Sequence, residues 1–398
     1  MPARLQMRAR RDRLVAMPGP QKTAPNSHQW LRTGDEVFPA MLAAIDSAGK
    51  TIRFETYIYA GDELGQRVRD ALVRAQQRGV RVWVLVDAFG SLTLPGDFWQ
   101  PLMAAGGEAR WFNPLVLERF EFRDHRKLLV CDETVAFVGG FNVTAVYRGD
   151  GVKSGWSDLG LKIASPLAVQ LAAAFDEMFA RADFQHKRFT RLRRSPARRD
   201  ISLEDGELLL TGPGRGVNPF NRALRQDLAR ARRVQIIAAY FLPTGSIRRE
   251  LVRVARRGGR VQLILPAKSD VLLSQLAGRS LYRRLLRAGV EIYEYQPQVL
   301  HTKLILVDDI VYVGSSNLDP RSLRINYELM LRFANHKILA SEAREIFEKD
   351  LALSERIELE AWRKSRNWWN RMKQRWAYFV LVRVDPYVAR WQYRRLPR

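Results

Sequence analysis

The stretch HRKLLVCDETVAFVGGFN at residues 125–142 is written a second time, as HTKLILVDDIVYVGSSN, at residues 301–317. Each copy reads His-x-Lys, four residues, Asp, an apolar strand, a small-residue turn and an Asn. On a strand, side chains two apart share a face, so His125 sits with Lys127 and His301 with Lys303. Asn142 and Asn317 come back from the next strand or turn with amide donors. A histidine beside a lysine and an amide suits attack on a phosphate ester. The cations and amides hold the non-bridging oxygens and stabilise charge that grows in the transition state. With the two sets brought together, one imidazole attacks phosphorus and the other protonates the leaving alcohol. A second alcohol, deprotonated by that same histidine, then completes a double displacement.

The repetition is specific. The chain holds five histidines, and only 12 of its 66 basic residues are lysine, yet both copies use lysine. Lysine is a compact point charge that arginine does not replace. His28, His186 and His336 lack the pattern and read as ordinary surface histidines.

Working outward, the whole chain reads as a duplication. Each half opens with a strand, Thr51–Tyr59 and Val234–Leu242. A helix with arginines on one face follows, Leu64–Arg78 and Ile247–Arg257. A glycine turn then leads to a buried strand, Val80–Asp87 and Gly259–Leu265. Further segments, Trp111–Asn113 and Val290–Tyr295, precede the paired motif. Strands alternating with helices predict an α/β fold around a mixed or parallel sheet, and the repeat predicts two similar domains facing each other. The expected division is a basic N-terminal segment (1–29), a first domain (30–190), a basic linker (191–205), a second domain (206–355) and a C-terminal tail (356–398). Gly212–Gly216 lacks the ending of a phosphate loop and reads as a turn, with a substrate-contacting loop as the other reading.

An attacking histidine needs an acceptor on its other ring nitrogen. Asp158 and Glu328 are the candidates, and the preferred assignment crosses the halves: Glu328 orients His125 and Asp158 orients His301. Asp132 and Asp308 belong to the repeated catalytic phrase, but they sit at the far end of the strand and read as turn-stabilising. No metal or other cofactor is expected: there is no HExxH or CxxC, and lysines beside the histidines repel a cation.

At 398 residues and 46% hydrophobic, the chain supports two real cores and is not disordered. Its single cysteine, Cys131, cannot form an internal disulfide and reads as a buried small side chain in a reducing compartment. A net charge of +24 points to a polyanionic partner, nucleic acid or anionic membrane. No window approaches the roughly 20 apolar residues of a membrane span. Residues 362–398 combine tryptophan, tyrosine and arginine and read as an interfacial anchor carrying Trp368, Trp369 and Trp376. The competing reading packs this tail on the second domain. Residues 92–101 and 112–120 look exposed and apolar, and are candidates for an acyl-chain access route.

The paired His-x-Lys-x4-Asp phrases, with Gly139–Asn142, Phe54–Ile58, Ala239–Phe241, Gly314–Ser322 and Asn326–Glu328, resemble the phospholipase D superfamily, and within it the shorter, B-type bacterial cardiolipin synthases. The resemblance covers roughly residues 30–375. It implies two phospholipase D-like α-β-α domains with the active site between them. It also implies a phosphatidyltransferase whose nucleophile is His125, with phosphatidylglycerol as donor and a second phospholipid alcohol as acceptor. The expected partners are this phospholipid and an anionic membrane surface rather than nucleic acid, and the expected location is the cytoplasmic face of the bacterial membrane. Glu55 belongs to the same pattern, and its place in the second half is apolar. Hydrolysis of the lipid and endonuclease activity are the alternatives from the same chemistry; a non-catalytic scaffold is disfavoured by two intact motifs.

Overall fold

The computed structural model describes residues 27–113, 122–182, 197–214, 216–365 and 367–384. Two mixed sheets carry the fold. The first runs, edge to edge, through Ser27–Leu31, Gly160–Ala164, Val135–Gly139, Leu128–Cys131, Thr51–Thr56, Arg81–Asp87 and Glu108–Phe112. The second repeats that order with Glu328–Phe333, Ile310–Gly314, Lys303–Val307, Arg233–Ala238, Arg260–Pro266 and Glu291–Tyr295, extended at both edges. In each, three parallel strands meet an antiparallel hairpin formed by the repeated phrase.

The helices follow from local sequence. Asp62 accepts from Gly65 N and starts Glu63–Gln77; Thr244 does the same at Ile247 for Gly245–Arg256. Both turn apolar side chains inward (Val68 and Leu72; Leu251 and Val254) and leave arginines outside. Each such buried side chain is worth about 1.5–3 kcal/mol. On the opposite faces, helices Leu167–Ala182 and Lys337–Ala352 share one continuous core with strand residues of both halves, including Phe175, Phe347, Val130 and Leu306. The halves are therefore welded through apolar packing.

Several expectations are corrected. The strands of the two phrases begin at Leu128 and Lys303, so His125, Lys127 and His301 lie just ahead of the regular ladder. Asp132 and Asp308, though part of the catalytic phrase, do not line the cleft and act as the turn residues the sequence suggests, at φ of +54° and +53°. Asp132 accepts from the backbone N–H of Gly49, Lys50 and Thr51, and Asp308 from Arg232 and Arg233. Residues 199–203, assigned to the linker, form an edge strand paired with Gly206–Thr211. Its charged residues hid it, as is usual for edges. Ser27–Leu31 likewise closes the first sheet, and His28 packs edge-on against Phe333 and His336 instead of facing solvent alone. Leu94, Phe98 and Trp99 are buried against Tyr59 and do not form an access route. Residues 1–26, 114–121, 183–196 and 385–398, with parts of the N-terminal, linker, access-route and tail readings and His186, lie outside the described residues.

Candidate active site

The site begins with backbone pairing between the halves. His125 N donates to Tyr327 O at 3.0 Å, and Tyr327 N donates to Arg123 O at 2.9 Å. At the other end His301 N donates to Ser157 O at 2.7 Å, and Ser157 N to Val299 O at 2.9 Å. The residues after Tyr327 and Ser157 are Glu328 and Asp158. Each acid is thereby delivered to the histidine of the other half. His125 Nδ1 lies 3.0 Å from Glu328 Oε2, and His301 Nδ1 lies 2.6 Å from Asp158 Oδ2. Both carboxylates are fully buried. A buried acceptor at Nδ1 fixes the proton there and leaves Nε2 as the basic nitrogen.

The turns are fitted to these acids. Ser315 Oγ donates to Glu328 Oε2 at 2.5 Å. Its counterpart is Gly140, where an added Cβ would lie 2.1 Å from Asp158 Oδ1. The first phrase therefore needs Gly-Gly where the second has Gly-Ser.

Burial pushes the His125 imidazole down to about 4, against the opposing pull of Glu328. Burial also lowers His301, helped by Lys303, whose Nζ sits 2.7 Å from Nδ1. Lys127 is brought down to about 7 by burial, and Lys303 is lowered for the same reason. Each lysine donates to the backbone carbonyl of its own histidine, beneath the ring. The imidazoles are thus neutral at neutral pH, and an arriving phosphodiester anion favours the charged forms of all four groups.

Both histidines line one cleft of about 410 Å³, together with Asn142 and Asn317. The lysines are not part of that wall; their charge acts from behind. Asn142 is locked by Ile58 N on Oδ1 and by donation to Tyr147 Oη at 2.9 Å. Tyr147, missed in the sequence, also stands 3.1 Å from His301 Nδ1. Tyr57, Trp156, Tyr240, Asp270 and Arg321 were missed as cleft residues too. Tyr57, Tyr240 and Arg321 lie inside quoted motifs and Trp156 stands two residues before Asp158; Asp270 carries no local signal. Gly212–Gly214 and Gly216 are not part of the cleft wall.

A second buried cluster lies behind Lys127. Neither Oε of Glu55 nor Oδ2 of Asp124 meets a donor among the described residues, and the two carboxyls face each other. Burial raises the proton affinity of both, Glu55 most. Such a pair is stable when it shares a proton. The second half has Ile237 and Leu300 there: Glu55 pairs with Leu128 as Ile237 pairs with Leu304, and Asp124 and Leu300 each precede a motif histidine.

The tail helix Trp368–Phe379 has two opposite faces. Gln374 and Ala377 are buried, and Ala377 packs into the second domain's core. Trp368, Trp369 and Trp376 are 60%, 64% and 63% exposed and share a roughly 100° arc with Met372 and Phe379. The packing reading of the tail holds for the face that carries Ala377, and the aromatic face is left uncovered. Beyond it, Leu381 reaches the cleft wall. Among the described residues no helix is long and apolar enough to cross a membrane, and no group of three or more His, Cys, Asp or Glu could hold a metal ion.

Comparison with known proteins agrees with this architecture. Residues 41–181 and 224–351 match the family described as "Cardiolipin synthase, PLD-like domain". The chain is 33% identical over 348 residues to cardiolipin synthase 1 of Bacillus cereus, covering 84% of this chain and 68% of that relative. It is 32% identical over 376 residues to cardiolipin synthase B of Salmonella typhimurium, covering 92% and 90%. The crystal structure of phosphatidylserine synthase from Haemophilus influenzae shares the fold, with a TM-score of 0.68 at 17% identity over 91% of this chain and 94% of that one. On these matches, spanning both halves and the cleft between them, the chain belongs to the cardiolipin synthase family of phospholipase D-like enzymes.

Proposed function

We propose that the protein transfers a phosphatidyl group from phosphatidylglycerol to the hydroxyl of a second phospholipid, releasing glycerol and forming cardiolipin. The observation that carries this reading is the pair of buried carboxylate–histidine couples meeting in one cleft. His125 Nε2, unprotonated, attacks phosphorus as the bond to the glycerol oxygen breaks, and His301, drawn into its imidazolium form by the bound phosphodiester anion and Asp158, gives that oxygen its Nε2 proton. The acceptor alcohol then gives its proton to His301 while its oxygen attacks phosphorus, and the N–P bond breaks to restore His125. Glu328 and Asp158 stabilise each imidazolium as it forms, and the buried lysines with Asn142 and Asn317 offset charge on the phosphoryl oxygens. Asp132 and Asp308 contribute by holding the hairpins that carry these groups.

The exposed aromatic face of Trp368–Phe379 meets an anionic bilayer, where indole rings favour the headgroup layer and arginines its charge. The adjoining helix Leu272–Arg279 adds exposed Leu272, next to its exposed cap residue Val271 on the cleft wall. We place the enzyme on the cytoplasmic face, whose lipids supply that charge.

The test is incubation with phosphatidylglycerol vesicles and, separately, with single-stranded DNA, with the lipid products read by mass spectrometry. Cardiolipin and glycerol are expected. Phosphatidic acid alone would make the enzyme a hydrolase, and strand cleavage without lipid conversion would make it a nuclease.

A further inference from the structure

The two halves supply the cleft unequally, and the difference falls on the alcohol. Tyr240 precedes Phe241 as Ile58 precedes Tyr59, since Phe241 bridges Leu318 and Tyr59 bridges Val143 in equivalent places. Both Tyr240 and Ile58 line the cleft, so one half offers a phenol where the other offers a hydrocarbon. Tyr240 Oη donates to Asp270 Oδ2 at 2.6 Å. The same ring lies edge-on to His301, with centroids 6.3 Å apart. Asp270 sits on the loop after strand Arg260–Pro266, where ligands meet parallel strands. It is exposed to the cleft and receives no other hydrogen bond among the described residues.

A free carboxylate at the mouth of a cleft that binds phosphate repels the substrate's anion. It serves a neutral group rich in O–H donors. A carboxylate accepts from two vicinal hydroxyls with one oxygen each, and a tyrosine fixed on one side sets its orientation. An ammonium headgroup fits less well, because Lys303 lies close enough to feel Asp270 and its own charge repels a cation. Asp270 acts on the His301 side of the cleft, and its charge favours the protonated form of that imidazole.

We propose that Tyr240 and Asp270 form a polyol subsite that binds the free hydroxyls of a glycerol headgroup beside His301. This rests on the phosphatidyltransferase reading and deepens it. The departing glycerol and the arriving alcohol would both pass the same dyad, next to the histidine that exchanges their proton. His125 would face the lipid's phosphorus from the opposite side, near Tyr57, Ile58 and Phe89.

The experiment uses the full chain with phosphatidylglycerol vesicles and three competing acceptors at equal concentration: deuterated glycerol, 1-propanol and ethanolamine. Mass spectrometry separates labelled phosphatidylglycerol, phosphatidylpropanol and phosphatidylethanolamine. The wild type should favour glycerol, and Asp270→Ala should lower the glycerol-to-propanol ratio by about tenfold or more. Tyr240→Phe should lower it less, and it provides a second reading if Asp270→Ala yields little folded protein. An unchanged ratio in both variants, with transfer persisting, overturns the subsite alone. Loss confined to ethanolamine transfer also overturns it. A wild type that forms cardiolipin but none of the three lipids overturns the subsite alone, and one that forms neither these lipids nor cardiolipin removes the phosphatidyltransferase reading, and the subsite with it.

Discussion

Glu328 Oε2 stands 3.0 Å from His125 Nδ1 across 203 residues of sequence, while Asp158 serves His301 in the reverse direction. Neither half holds a complete catalytic couple. The backbone pairing of Tyr327 with Arg123 and His125 makes this crossing, so the site exists only when the halves are joined.

The first prediction concerns those acids. Glu328→Gln and Asp158→Asn preserve shape but remove the charge that stabilises imidazolium. Turnover should fall on the order of 10²–10⁴-fold in each, with vesicle binding retained. Steady-state assay beside a vesicle flotation assay checks this; turnover near wild type in either variant removes that acid from the mechanism.

A pH profile follows from the burial of the same groups. His125 must be neutral to attack and titrates at about 4, whereas Lys127 must be charged to offset the phosphate and titrates at about 7. For the free enzyme, kcat/KM should therefore rise as pH passes about 4 and decline towards neutrality and beyond, as His301, lowered by burial, and then Lys127 lose the protons the reaction uses. A rate still climbing well above neutrality would contradict the role given to Lys127.

Gly140 tests the fit of the first turn. Any Cβ there meets Asp158 Oδ1, so Gly140→Ser should displace the carboxylate from His301. Overpacking of this kind costs about 1–3 kcal/mol. Activity should drop and Tm with it, while Ser315→Gly, which removes a donor to Glu328 and an acceptor for Leu329 N but forces nothing apart, should be milder.

Glu55 gives a stability prediction with a definite sign. Its folded proton affinity is raised, so its contribution is present below the ordinary carboxyl value and is lost as pH rises towards the folded one. Glu55→Gln cannot ionise. From mildly acidic to mildly alkaline buffer, the wild type should lose more Tm than the variant, and parallel melting curves would show that the pair shares no proton.

The tail prediction separates its two faces. Alanine at Trp368, Trp369 and Trp376 together should weaken binding to anionic vesicles by at least about tenfold. Tm should hardly change, because these rings touch little of the core. An alanine triple variant that binds vesicles as well as wild type would assign the aromatic face elsewhere.

Much of this site was legible because its chemistry was written twice. The His-x-Lys phrases set the hairpins, and Asn326-Tyr327-Glu328 and Trp156-Ser157-Asp158 offered the only matched acids behind them. Edge strands were not legible: Arg199–Leu203 is short, opens on the charged pair Arg199-Asp200 and follows a basic run without periodicity. The lysines' position behind the rings was hidden too, since spacing gives a face but not a depth. Asp270 reaches the cleft through a loop, and no periodicity locates a loop residue in space.

The most direct measurement is mass spectrometric peptide mapping of enzyme quenched during turnover with phosphatidylglycerol. A phosphatidyl group should be found on the peptide that carries His125, and it should disappear in His125→Ala. A group found on His301 instead, or cardiolipin formed at an undiminished rate by His125→Ala, would contradict the account.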